Sequence, residues 1–195
     1  MHSEDINEHN LWKSFQEGDE EAYTLIYSRF VKTMFRYGMS LVPVSEAFVL
    51  DCIHDVFTEI WIKREKLSVP DNIKYYLLKS LKTRILHLLK RQEKPSTSLS
   101  DINYEDLWQE PSAEEIFAEN EWTENRERII GKLIKELPHR QQEALRLRYI
   151  ENMDFEQVAE MMEVNRQSAQ NLVFRAIEKL RNKMTLFMVV FLLFF

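Results

Sequence analysis

Apolar side chains recur three and four positions apart along nearly all of this 195-residue chain. That period puts them on one face of a helix, so an all-α fold is expected. Three glycines and five prolines are too few for a turn-rich all-β fold. Gly18, Gly38 and Gly131 also stand too far apart for a glycine-rich phosphate loop. The single cysteine, Cys52, excludes a disulfide framework or a cysteine-built zinc finger and suits a reducing cytosol. The first residues are polar and read as no secretory leader, so a cytoplasmic protein is expected.

The punctuation divides the chain into two small helical domains joined by a linker. Helices are predicted over 11–17 and 20–40, the second with Ala22, Leu25, Ile26, Phe30, Met34 and Tyr37 inward. After Pro43, Ser45 opens a helix over 46–65 whose inner side holds Phe48, Ile53, Val56, Phe57, Ile60 and Trp61. Val69-Pro70-Asp71 breaks the pattern, and Asp71 is the expected cap of a helix over 72–92. That helix carries the stripe Ile73, Leu77, Leu81, Ile85 and Leu88. Residues 1–92 form the first domain. Pro95, Pro111 and the serines between them mark 93–112 as a flexible linker. A second domain, 113–184, opens on the capping box Ser112–Glu115 with a helix running to Leu137 and stopped by Pro138. Segments 139–150, 155–162 and 166–183 follow, with Asp154 to Gln157 as a second capping box and Asn165 as a cap.

Charge is segregated along the chain. The net −6 conceals a linker region, 92–127, with 11 acidic and 2 basic residues, and a stretch, 60–91, with 9 basic and 2 acidic. Attraction to phosphates fades over roughly 8 Å at physiological salt, so local basic stretches decide nucleic-acid binding and the total does not.

The last segments form a helix-turn-helix pattern: a short amphipathic helix from Phe155, the turn Glu163-Val164-Asn165, and a longer helix from Arg166. Ala159 sits at the close-packing point, and Val173, Ile177 and Leu180 anchor the second helix. Its first turns present Arg166, Gln167, Gln170, Asn171 and Arg175, donors and acceptors suited to base edges and phosphates in a major groove. A plain helical hairpin with a solvated face is the bland alternative.

Residues 132–184 resemble the C-terminal domain of bacterial RNA polymerase sigma factors, above all the extracytoplasmic-function (ECF) group. The likeness rests on Leu137-Pro138, Arg148-Tyr149, Val158-Ala159-Glu160 and Phe174-Arg175-Ala176 followed by Lys179-Leu180-Arg181. Glu163 departs from the family, which often has Gly in this turn; a left-handed glutamate costs about 1 kcal/mol. The resemblance implies −35 element recognition through Gln167, Gln170, Asn171, Phe174 and Arg175, with Arg166 and Lys179 on phosphates.

Residues 47–61 resemble the sigma helix that grips the polymerase core. The family pattern falls on Asp51, His54 in place of Gln, Asp55, Phe57 and Trp61. Asp51, Asp55 and Glu59 lie one turn apart, a stripe that is either a solvated face or a contact for a basic partner helix. The resemblance implies core RNA polymerase as partner, through its β′ clamp helices and β flap, with Ile62 joining the contact set. Residues 72–94 resemble the part that melts and reads the −10 element. Lys79, Lys82, Arg84, His87 and Lys90 would follow a displaced strand, and Tyr75 and Tyr76 are either stacking platforms for unpaired bases or core side chains. Thr83 stands where many relatives have Asn. The acidic linker is either a solvated tether or a nucleic-acid mimic in a basic channel. The family also implies an anti-sigma factor.

Other chemistry is thin. The five histidines are dispersed, and Asp51, His54 and Asp55 on one helix give too few ligands for a metal. No cofactor, no small-molecule substrate and no enzymatic activity are expected. The uncharged tail 185–195 would reach about 16 Å as a helix, against roughly 30 Å of hydrocarbon. It reads as a helix extension that serves as a cap, a peripheral membrane contact, a degradation signal or an interface. Two rival functions stand beside the sigma factor: a helix-turn-helix regulator that is no polymerase subunit, and a helical adaptor.

Overall fold

The computed structural model of the protein describes residues 8–93 and 131–194. All regular structure among the described residues is helical. The linker 93–112, save its first residue, and the capping box at Ser112 lie outside them. Chain contacts divide into two compact units, Met1–Glu110 and Pro111–Phe195.

The first unit contains α1 (Glu8–Gln16), α2 (Glu20–Leu41), α3 (Glu46–Lys63), a 3₁₀ turn (Arg64–Lys66) and α4 (Ile73–Glu93). Helices α2, α3 and α4 pack pairwise on one another, and α1 lies on α2. Their seam is the predicted apolar stripe: Ile26, Met34, Tyr37, Ile53, Ile73, Leu77, Leu81 and Ile85 are wholly buried. Leu25 instead stays exposed. At Gly38 a Cβ would stand 2.6 Å from Val49 Cγ1. A side chain there would force Val49 to shift, so the backbone of α2 itself packs against α3 at this point. Helix starts are capped by side-chain oxygens: Asp19 accepts from the Glu21 N–H (2.8 Å) and Ser45 from the Phe48 N–H (3.2 Å). For α4 the cap is Asn72, which accepts from the Tyr75 N–H at 2.8 Å. The sequence pointed to Asp71, one residue early; the helix begins at Ile73 and the cap must immediately precede it.

In the second unit, residues 131–135 are helical. Then come α5 (His139–Leu145), a π-helical turn (Arg146–Ile150), α6 (Phe155–Met161) and α7 (Arg166–Phe194). The single helix expected over 139–150 is therefore two elements. The Glu151 N–H reaches back five residues to the Arg146 carbonyl (2.9 Å), which widens the last turn. Arg148 holds the widened turn in place. It donates to the Met153 carbonyl at 2.8 Å and lies 5.1 Å over the Phe155 ring. Leu137, Ala144, Leu147, Met153, Val158, Met161, Ala169, Val173 and Ala176 make this unit's core. The anchor stripe of α7 is thus Ala169, Val173 and Ala176, not Val173, Ile177 and Leu180; Ile177 is exposed. The backbone of α7 stays helical to Phe194, as the helix-extension reading of the tail expects.

Candidate nucleic-acid and partner interfaces

The turn between α6 and α7 sets where α7 begins. Asp154 and Gln157 form the full capping box at the start of α6: the Gln157 N–H donates to Asp154 (2.8 Å) while the Gln157 amide accepts from the Asp154 N–H (3.2 Å). At its end, the Val164 N–H donates to the Ala159 carbonyl (3.0 Å) and the Glu163 N–H to the Glu160 carbonyl (3.3 Å). That pair of bonds is a Schellman motif, whose middle residue must be left-handed. Glu163 accordingly has φ 54°, in the place where glycine is usual. Asn165 then caps α7, accepting from the Ser168 N–H at 2.8 Å.

This geometry leaves one face of α7 to solvent. Arg166, Gln167, Asn171, Arg175 and Lys179 are exposed, Gln170 is half-buried, and the Phe174 ring is 66% exposed although apolar. The seven side chains predicted to meet a −35 element therefore lie on or beside a single face. Three already have a partner: Gln167 donates to the Asn171 side chain at 3.2 Å, and Arg166 pairs with Glu156 of α6 at 2.9 Å. Sequence reading missed Glu156, an exposed acid in the first turn of α6.

Residues 127–180 match the family model of Sigma-70, region 4. The second unit carries a sigma-70 region 4 domain. No curated protein sequence matches the chain. Among solved structures, it is similar to CnrH in complex with the cytosolic domain of CnrY, at 13% identity and a TM-score of 0.57, covering 91% of this chain and 97% of that one. It is also similar to the sigma factor RpoE in complex with the anti-sigma factor NepR from Bartonella quintana, at 14% identity and a TM-score of 0.55, covering 84% of this chain and 96% of that one. At such identities the likeness is one of fold. It runs well beyond region 4 into the first unit.

In the first unit the predicted polymerase-facing residues separate by burial. Asp51, His54 and Glu59 are exposed, and Ile62 is 72% exposed. Phe57 is 1% exposed and must be taken off the contact list: its ring packs edge-on against Tyr23 (5.9 Å) and Tyr27 (4.8 Å). His54 stacks beside Tyr27, with 3.4 Å between Nε2 and the hydroxyl. Glu59 pairs with Lys63 at 2.5 Å. Asp55 is half-buried and pairs with Arg84 of α4.

The −10 candidates lie along α4. Lys79 and His87 are exposed, and Lys82 and Lys90 are half-buried. The two tyrosines differ. Tyr75 has Lys79 Nζ 5.9 Å from its ring centre. Tyr76 packs edge-on against the buried Trp12 of α1 at 5.4 Å, and burial raises its hydroxyl above the ordinary pKa. Arg84 binds Asp55 with two donors, Nε at 3.0 Å and Nη2 at 2.6 Å from Oδ2.

No group of three or more potential metal ligands comes together among the described residues. None of their helices is long and apolar enough to cross a membrane.

Proposed function

We propose that the chain is an ECF-type sigma factor that joins core RNA polymerase and directs promoter-specific initiation. The observation that carries this reading is the region 4 domain: Arg166, Gln167, Asn171, Phe174 and Arg175 stand exposed on one helix behind a capped, rigid turn. Such a helix fits a major groove, where amide side chains pair with adenine and arginines with guanine or phosphate. In this reading Gln170 lies at the edge of the groove, and Lys179 holds a phosphate. Residues 1–92 bind the polymerase and act on the −10 element, 93–112 link the two domains, and 113–184 read the −35 element.

The first unit supports the same reading. Asp51, His54, Glu59 and Ile62 line an exposed part of α3, suited to the β′ clamp helices, and region 4 would meet the β flap. Tyr75, Lys79, Lys82, His87 and Lys90 on α4 provide charge and one aromatic face for a displaced strand. The protein itself is non-enzymatic and cytoplasmic, and the polymerase supplies the catalysis. An anti-sigma factor is a further partner, supported by a fold like that of CnrH, solved with the cytosolic domain of CnrY, and of RpoE, solved with NepR.

Purified protein, core polymerase and a library of promoter fragments test the proposal. The expected result is initiation at defined start sites that depends on this protein. DNA binding without polymerase, and no initiation on any fragment, would make it a regulator. No DNA binding in either condition would make it an adaptor.

A further inference from the structure

Asp55 and Arg84 belong, by sequence, to two different surfaces: the polymerase-facing helix and the promoter-melting helix. The structure joins them to each other. Both donors on one edge of the Arg84 guanidinium converge on a single oxygen of Asp55, at 2.6 and 3.0 Å, across a separation of 29 residues. The side chains are 35% and 45% exposed, so the pair is partly desolvated and lies at the crossing of α3 and α4. Arg84 follows Leu81 and precedes Ile85 on α4, both wholly buried. The wholly buried Cys52, one turn before Asp55, has its thiol pushed up to about 11, first by burial and then by the Asp55 carboxylate.

This arrangement works against the role each residue has alone. A phosphate brought to Arg84 would also be brought to the Asp55 carboxylate, and like charges at that distance repel. A basic helix brought to Asp55 would meet the Arg84 guanidinium in the same way. The carboxylates left for a partner are Asp51 and Glu59, the latter already beside Lys63. Lys79 and His87, by contrast, are exposed.

We infer that Arg84 is a positioning residue and not a DNA contact: with Asp55 it fixes the melting helix to the polymerase-docking helix, so that docking sets where α4 meets the −10 strand. The inference rests on the sigma-factor reading above and names how its two surfaces in the first unit are joined.

The test uses full-length Arg84→Gln, Asp55→Asn, the double variant and the charge swap Asp55→Arg with Arg84→Asp, each with core polymerase and a promoter on which the unaltered protein initiates. All are assayed at a temperature where circular dichroism shows every variant folded. Either single variant is expected to lower open-complex formation roughly tenfold, mid-range for the coupling of contacting residues. The double variant should lower it no further, and the swap should restore part of the loss. The salt dependence of holoenzyme binding to a −10 single strand should not change. A slope smaller by about 0.7 in Arg84→Gln alone, the signature of one lost phosphate contact on a single strand, would overturn the inference. So would full activity of both singles while folded, which would leave the pair with a structural role only. If the unaltered protein initiates nowhere, the sigma-factor reading fails and the assignment fails with it.

Discussion

The two units hold their functional side chains in opposite ways. On α7 the candidate residues stand on a face that none of the described helices covers, and even the phenyl ring of Phe174 is left in water. On α3 and α4 the candidates share their helices with the core, and several are used up by it: Phe57 is buried, Tyr76 packs on Trp12, and Asp55 and Arg84 bind each other. A helix that touches its domain along one narrow stripe keeps most of its surface for a ligand. A helix at the centre of a three-helix packing has little surface to spare, and each residue next to its seam becomes part of the structure.

The largest effect that tests this contrast is expected at Phe57. If its ring belongs to the core, Phe57→Ala costs about 3–5 kcal/mol, seen as earlier denaturant unfolding of the first unit with the second unit's transition unmoved. Unchanged stability would return Phe57 to the surface and erase the distinction at that point.

Phe174 should behave in the opposite sense. As an exposed side chain away from the core, its replacement by alanine is expected to shift stability by no more than about 0.5 kcal/mol. Binding of the holoenzyme to a promoter should nevertheless fall by about 1–3 kcal/mol, the scale of one mismatched base pair in a site, with the loss confined to promoters carrying one particular base at the contacted position. A thymine methyl is the natural apolar partner. An equal loss on all promoters would mean that the ring serves something other than sequence reading.

The same contrast explains what could be read without coordinates. The helices, the caps at Ser45, Asp154 and Asn165, and the exposed face of α7 are local matters, decided by spacing and by the nearest few residues. The helix-turn-helix was legible for that reason. The Asp55–Arg84 pair spans 29 residues and depends on the crossing of α3 and α4, which no local pattern encodes. Burial of Phe57 was half legible, since its spacing put it on the inner side while the family pattern made it a contact. The π turn at Arg146–Ile150 was not legible, because it depends on where the Arg148 guanidinium finds an acceptor. The anchor of α7 was misread because large apolar residues at Ile177 and Leu180 look like core. The positions wholly buried on α7 are instead the small Ala169 and Ala176, with Val173 between them nearly so.

The smallest effect concerns the turn that presents α7. Its bonds require a left-handed residue, and Glu163 adopts φ 54° to satisfy them. A β-carbon in that conformation costs about 1 kcal/mol, whereas glycine adopts it without penalty. Glu163→Gly should therefore raise the stability of the second unit. The gain stays under about 1 kcal/mol, since the glycine variant also gains freedom in the unfolded chain. Glu163→Gln is the control: it removes the charge, keeps the β-carbon, and should leave thermal stability unchanged. If both variants stabilise alike, the cost lies in the carboxylate at the C-terminal end of α6, where negative charge is unfavourable, and the turn is not strained. If only glycine stabilises, α7 is held at its angle by the backbone bonds of the turn, independently of which side chain occupies it.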